Sequence, residues 1–171
     1  MASPYEMLLI QLTNFNARKD EYWDGLYTVV GMLTHSYTMY LGLPTPGWEN
    51  TDGTVDRYVR LGKISDNEFV SVRTRELEEG DDAKLSFALK ITLNPGYQPA
   101  SIDYIQSSEE VVFEIGLSGT VSGYHFWVSS VKGPIFVSDQ INTAGNFDPL
   151  WDVLTDDMLA MFDPEFFTSP N

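Results

Sequence analysis

Two histidines, His35 and His125, are the side chains best suited to metal binding or to acid–base chemistry near neutral pH. They do not form the HExxH pattern, in which two histidines one helical turn apart hold zinc. The chain has no cysteine, which excludes thiolate ligands, cysteine nucleophiles and disulfides. His125 lies in the aromatic run YHFW (124–127), which favours a packed aromatic surface. We therefore predict no metal site and no cofactor.

The sequence also does not match the short motifs that are typical of catalytic sites. The runs GLSGT and GTVSG do not match the GxSxG nucleophile elbow, and no glycine-rich phosphate loop is present. The run NTDGTVD (50–56) resembles part of a calcium loop. Aligning Asp52 and Gly53 with loop positions five and six, however, puts Trp48 at position one and Val59 at position twelve, where carboxylates are required. We interpret NTDGTVD as a turn, and we predict that the protein is not an enzyme.

Acidity is the most unusual bulk property of the sequence. The 171 residues include 25 acidic and 10 basic residues, for a formal net charge of −15. Acidic residues cluster in ELEEGDD (76–82), and no Lys or Arg follows Lys132. Such a field repels nucleic acid and anionic membranes and attracts basic surfaces. We therefore expect a basic protein partner, no nucleic-acid ligand and no membrane contact.

Small size, acidity and the missing catalytic motifs favour a protein-binding module. We expect an inhibitor or immunity-type protein that neutralises a basic partner such as a toxin or a nuclease. Charge complementarity would speed association, and aromatic anchors would supply affinity. The start of the sequence lacks a basic segment and a small-residue cleavage site, so we expect a cytoplasmic location. The candidate partner-binding residues are Glu76, Glu78, Glu79, Asp81, Asp82, Trp48, Trp127, Asp152, Asp156 and Asp157.

Two alternative functions remain open. In the first, a curved sheet surrounds an apolar cavity that binds a small ligand, with or without catalysis, as the aromatic content and several glycine bends favour. In the second, weaker alternative the protein mimics DNA. Because a duplex carries one charge per about 1.7 Å, this would require most acids to lie along one stripe.

The strand that must organise these surfaces is predicted at 84–94, KLSFALKITLN. Leu85, Phe87, Leu89, Ile91 and Leu93 alternate with more polar residues, which is typical of a half-buried β-strand. Strand-like runs with short turns between them extend over 57–141 and predict an antiparallel β-meander of about five to six strands. The run 95–108 is expected to be a crossing loop or a short extra strand.

Helical patterns flank the predicted sheet. Ser3, Pro4 and Glu6 form a capping box for a helix over 4–14, and a second helix is expected from residue 16. Strand and helix interpretations compete over 25–43, and 43–56 has loop chemistry. Asp148 and Pro149 start a C-terminal helix over 149–162. The sequence thus predicts a single α+β domain over 1–171, with a mainly helical region (4–43), an antiparallel sheet (57–141) and a C-terminal helix.

Overall fold

The computed structural model describes residues 1–93, 109–140 and 146–167. These residues form two α-helices, a six-stranded antiparallel sheet and a separate two-stranded sheet, which confirms the predicted α+β class. In chain order the elements are α1 (Pro4–Tyr40), β1 (Gly47–Glu49), β2 (Val55–Arg57), β3 (Val59–Ser65), β4 (Glu68–Ser71), β5 (Leu85–Leu93), β6 (Glu109–Gly119), β7 (Gly123–Val128), β8 (Ile135–Ser138) and α2 (Asp148–Met161).

The large sheet has the strand order β4-β3-β5-β6-β7-β8, with every neighbouring pair antiparallel. Asp66 and Asn67, both with positive φ, turn β3 back onto β4. This is the conformation of a type I′ hairpin, whose twist matches that of the strands. The chain then returns to the other side of β3, so β5 lies beside β3 rather than beside β4. The longest pairing joins β5 to β6, from Leu85 opposite Leu117 to Leu93 opposite Glu109.

Side chains alternate across the central strands, as the sequence predicts. On β5, Leu85, Phe87, Leu89 and Ile91 are at most 3% exposed. The intervening β5 positions and their β6 neighbours form the outer face of the sheet, where Ala88 and Thr92 are also buried. The inner face packs against the two helices, and the space between them is filled by large side chains such as Trp151, Tyr37, Phe126, Leu26 and Leu33.

The helix α1 runs without a break over 37 residues, so the predicted boundary between a helix over 4–14 and a second helix from residue 16 is wrong. It begins at the predicted capping box, in which the Ser3 N–H donates to the Glu6 carboxylate and the Glu6 N–H donates to the Ser3 hydroxyl. The helical interpretation of 25–40 is therefore correct. The two ends of the helix have different surroundings, because residues 1–21 are all exposed. The buried residues of α1 are Trp23, Leu26, Tyr27, Val29, Val30, Leu33, Tyr37 and Thr38.

The helix α2 packs against the end of α1. The rings of Tyr37 and Trp151 stack with centroids 4.4 Å apart, and the Trp151 indole N–H donates to the Ser36 hydroxyl at 3.0 Å. The helix begins one residue earlier than the sequence predicts, with Asp148 inside the first turn.

In two segments the structure differs from the sequence prediction. The run 43–56 was expected to be a loop, but it contains β1, which pairs with β2 in the small sheet. The region predicted as strands over 57–141 is interrupted after Ser71, where β4 ends and a 3-10 turn follows over Thr74–Glu76. The expected crossing loop at 95–108 lies outside the described residues.

Candidate functional site

The acidic turn, residues 76–82, connects the 3-10 turn to β5. Part of its acidity holds the turn together. The Glu76 carboxylate accepts from the Arg73 N–H at 2.6 Å, and the Asp82 carboxylate accepts from the Lys84 N–H at 3.2 Å. Gly80 closes the turn by donating its N–H to the Lys84 carbonyl at 3.0 Å. Carboxylates that accept backbone N–H groups are a common way to close a turn, so Glu76 and Asp82 have a structural role.

The helix α1 fixes this turn against the body. The Tyr22 hydroxyl donates to the Ala83 carbonyl at 2.5 Å, and the Tyr27 hydroxyl lies 3.2 Å from the Leu77 carbonyl and 3.3 Å from the Glu79 carboxylate. Burial, followed by the negative charge of Glu79, raises the pKa of Tyr27 above its ordinary value. The acidic turn is thus held in place from one side by two tyrosines.

An ion pair at 2.7 Å between Arg75 and Asp24 adds a further link between α1 and the 3-10 turn. Arg75 pairs with α1 rather than with the acidic turn, and Arg60 pairs with Asp56. The charge of the acidic turn is therefore not neutralised by these two arginines.

The side chains of the acidic turn point to two different surfaces. Glu78 lines a groove on the outer face of the sheet. Glu79 and Asp81 line a second groove, between the turn and α1. Glu78 and Glu79 are neighbours in the chain, but they line different grooves.

The outer groove, as we name the first of these, has a volume of about 430 Å³. It runs across β3, β5 and β6, with Ser86 and Gly116 as small residues in its lining. Glu114, which is exposed on β6, lines this groove together with Glu78. The full set of lining residues is Lys63, Ile64, Ser65, Glu78, Ser86, Phe87, Glu114, Ile115 and Gly116. Two carboxylates and a single lysine make the lining net negative.

Trp127 borders the outer groove. Its side chain lies over Gly116, where an added methyl group would be 3.5 Å from the Trp127 Cβ. The Lys84 ammonium lies 3.9 Å from the Trp127 ring centroid, which is the geometry of a cation–π contact. Trp127 is half-buried and its indole N–H points to the Ser118 hydroxyl at 3.4 Å. The predicted aromatic anchor thus lies at the edge of a groove that two carboxylates line, and the ring already contacts a cation.

The other predicted contact residues lie elsewhere. Trp48 is on β1, where its ring packs on Tyr58 and its indole N–H donates to Asn50 at 2.9 Å. On α2, Asp152 accepts a hydrogen bond from the Tyr40 hydroxyl. Tyr40 is 13 residues after Tyr27 on α1, and this spacing corresponds to about 20 Å of helix. The α2 acids, Asp152 with Asp156 and Asp157, therefore do not share a contact surface with the acidic turn.

The histidines do not meet. His35 is exposed on α1, and His125 lies on the outer face of β7 between Trp127 and Phe136, with ring centroids 6.3 and 5.9 Å away. Within the described residues, no group of three or more His, Cys, Asp or Glu side chains could hold a metal ion.

Sequence reasoning missed Glu114, Lys63 and Ser86 as neighbours of Glu78. The alternation of β6 does predict that Glu114 points away from the core. Its proximity to Glu78 depends on the strand order β3-β5-β6, which a list of strands does not contain.

No family model, curated protein or solved structure matches this chain. In the part of the chain that the structure describes, no helix combines the length and the hydropathy required to cross a membrane.

Proposed function

We propose that the protein is a binding module that neutralises a basic protein partner, as an inhibitor or immunity-type protein does, and that a lysine or arginine of the partner enters the outer groove. The observation that carries the proposal is the placement of Glu78 and Glu114 in one open groove beside Trp127. A cation between two carboxylates and an indole ring gains charge and cation–π interactions together.

Lys84 supports this choice of ligand. Its ammonium lies over the Trp127 ring, so the position is one where a cation is stable in this protein. An arginine of a partner could displace Lys84 and stack its planar guanidinium on the same ring. A tryptophan at such a position is typical of the few residues that dominate binding energy in protein interfaces.

The overall charge supports the same class of function. A net charge of −15 accelerates encounter with a basic protein, and the local carboxylates then set the orientation. We place the protein in the cytoplasm with its partner, and we propose that it has no catalytic activity of its own.

The test is capture of partners from native lysate at about 50 mM and about 500 mM salt, with identification by mass spectrometry. Screening weakens long-range attraction at the higher salt but leaves a packed contact largely intact. We expect one basic protein to be retained in stoichiometric amount at both salt levels. If no protein is retained at the higher salt, the proposal fails.

Matched charge reversals locate the contact. The double variant Glu78→Lys and Glu114→Lys should abolish retention of that protein at both salt levels. The control Asp156→Lys and Asp163→Lys changes the net charge equally at two exposed positions outside the outer groove. It should slow association only moderately and leave retention at high salt. Equal loss in both variants would indicate charge attraction without a specific site.

A third variant, Lys84→Met, should strengthen partner binding instead of weakening it. It frees the Trp127 ring and removes a positive charge from the edge of the groove. We expect it to tighten binding of the captured partner, whereas Trp127→Ala should weaken it by tenfold or more. A Lys84→Met variant that binds more weakly would mean that Lys84 itself contacts the partner.

A further inference from the structure

The first half of α1 presents a row of uncovered apolar side chains. We call residues 4–19 the α1 arm; at 1.5 Å per residue it is about 24 Å long. Large apolar residues in it are 45% to 68% exposed, which is the exposure of a helix with no neighbour. They are Tyr5, Met7, Leu8, Leu9, Ile10, Leu12 and Phe15.

The spacing of these residues suits a helix partner. Tyr5, Leu8, Leu12 and Phe15 follow one another at steps of three, four and three residues, and the same steps continue to Lys19 and Tyr22. Alternating steps of three and four place side chains in one seam along a helix, as in paired helices. The seam therefore forms one contact face of the α1 arm, with Leu9 beside it, whereas Met7 and Ile10 lie on other sides of the helix.

This face runs directly into the second groove, which has a volume of about 520 Å³ and lies where the arm meets the body. We call it the base groove. Phe15, Tyr22 and Trp23 line it on the α1 side together with Arg18 and Lys19, and Glu79 and Asp81 line it on the side of the acidic turn. A helix that follows the seam of the arm towards the body thus ends among aromatic rings, two carboxylates and two basic side chains.

Charge selects a second copy of the chain as the occupant. Residues 1–19 contain one acidic and two basic residues, a net charge of +1. Residues 20–171 contain the other 24 acidic and 8 basic residues, a net charge of −16. The arm is the long surface on which two copies of this acidic protein can meet without strong repulsion between like charges.

We propose that two copies of the chain dimerise by antiparallel pairing of their α1 arms, with the tip of each arm in the base groove of the other. Parallel pairing would bring two bodies of charge −16 to the same end. Antiparallel pairing keeps them at opposite ends of an arm about 24 Å long, roughly three times the Debye length of about 8 Å at physiological salt.

The base groove favours the same direction of pairing. The N-terminus of a helix carries a partial positive charge from its aligned peptide dipoles. In the antiparallel pair the N–H groups at this end of each arm approach Glu79 and Asp81 of the other copy, and Glu6 in the first turn approaches Arg18 and Lys19. Tyr5 reaches the aromatic side of the groove. The two contacts are identical, as a twofold axis requires.

The buried area sets the expected strength. Two arms in contact over about 24 Å, with their tips in the base grooves, bury roughly 1,000 Å² in total, which is the lower limit for a specific interface. We therefore expect a reversible dimer with a dissociation constant in the micromolar range. Since apolar contacts drive it, raising the salt from about 50 to about 500 mM should not dissociate it.

The first experiment is sedimentation equilibrium of the full chain from about 1 to about 100 µM, a range that spans a micromolar dissociation constant. The expected result is a monomer–dimer equilibrium. Leu8→Glu with Leu12→Glu should leave only monomer. The control, Val55→Glu with Val121→Glu, adds the same charge at two exposed valines of the body and should dimerise like the original chain.

The second experiment fixes the orientation and uses the absence of cysteine from the chain. In an antiparallel pair the middles of the arms meet, so Leu12→Cys should form a disulfide-linked dimer on oxidation. Tyr5→Cys should not, because the two tips lie at opposite ends. Dimers in both variants would show parallel arms and overturn the proposal.

Two other results would also overturn it. One is a monomer at every concentration, which would mean that something other than a second copy covers the arm. The other is a dimer that survives the double glutamate substitution, which would place the interface elsewhere. Urea unfolding of that variant checks that the body is intact, since residues 8 and 12 are outside the core.

Discussion

The hydroxyl of Tyr22 accepts a hydrogen bond at 3.0 Å from the N–H of Gly119, the last residue of β6. The same hydroxyl donates to the Ala83 carbonyl, so one side chain of α1 joins the end of β6 to the segment after the acidic turn. Gly119 makes this approach feasible: a methyl group added to it would lie only 2.8 Å from the Tyr22 ring. The position of the acidic turn therefore depends on a tyrosine in the helix.

Replacing Tyr22 by Phe should destabilise the protein by roughly 1–3 kcal/mol, because the Gly119 N–H and the Ala83 carbonyl both lose a partner. Urea unfolding followed by circular dichroism measures the change. The control is Tyr5→Phe at protein concentrations below the proposed dimerisation range, since Tyr5 is 68% exposed in the single chain and its loss of a hydroxyl should be nearly neutral there. Equal effects of the two variants would refute the role assigned to Tyr22.

Two glycine-to-alanine substitutions should change the free energy of unfolding in opposite directions. A methyl group on Gly62 would fall inside contact distance of the Val70 carbonyl and the Phe69 ring, so Gly62→Ala should destabilise the sheet. Gly25 is helical and has open space around its Cβ position. Gly25→Ala should stabilise the protein by roughly 0.5–1 kcal/mol, because alanine loses less backbone entropy in a helix. Thermal unfolding of both variants tests the difference in sign.

Trp151 is the largest fully buried side chain and should be the most sensitive position in the core. Trp151→Ala removes the stack on Tyr37 and leaves a cavity, at a cost of roughly 3–5 kcal/mol. Trp151→Phe keeps most of the volume but loses the hydrogen bond to Ser36, so its cost should be smaller. Comparison of the two denaturation midpoints checks this order; a reversed order would argue against the packing described for α2.

Stability should fall at alkaline pH through Tyr37. Burial raises the pKa of its hydroxyl to about 12 in the folded protein, against the ordinary value of 10.0. Below pH 10 the hydroxyl is neutral in both the folded and the unfolded chain. Between pH 10 and about 12 the unfolded chain loses this proton first, so the free energy of unfolding falls as the pH rises.

Ultraviolet titration of tyrosinate tests this pH dependence, with Tyr37→Phe as the comparison. The variant should lack one late-titrating tyrosine and should lose less stability over the same pH range. If Tyr37→Phe leaves the late titration unchanged, the raised pKa belongs to another tyrosine.

Patterns that span a few neighbouring residues correctly predicted one strand and the start of one helix. The alternation in β5 and the capping box of Ser3 and Glu6 are both read within a few positions of the chain. The second half of α1 was ambiguous because Gly25, Gly31 and β-branched residues have low helix propensity. Burial of Leu26, Val30 and other residues against the sheet outweighs that propensity.

The candidate site could not be predicted from local patterns, because it depends on the order of the strands in the sheet and on the direction of each side chain. The acidity of residues 76–82 was evident, but its division between two grooves depends on the direction of each side chain. Glu78 meets Glu114 only because β5 lies between β3 and β6. The residue type of Trp127 predicts an anchor, but its place opposite Gly116, at the edge of the outer groove, follows from the pairing of β7 with β6.

The two edge strands of the large sheet, β4 and β8, contain only four residues each. At about 3.3 Å per residue, each edge offers roughly 13 Å of backbone to a neighbouring strand. Short edges are a common protection against the strand-to-strand association that leads to aggregates. The exposed apolar residues of the α1 arm therefore do not make the sheet prone to β-aggregation. Each edge strand of the sheet offers too few backbone N–H and C=O groups to pair with a long strand of another chain.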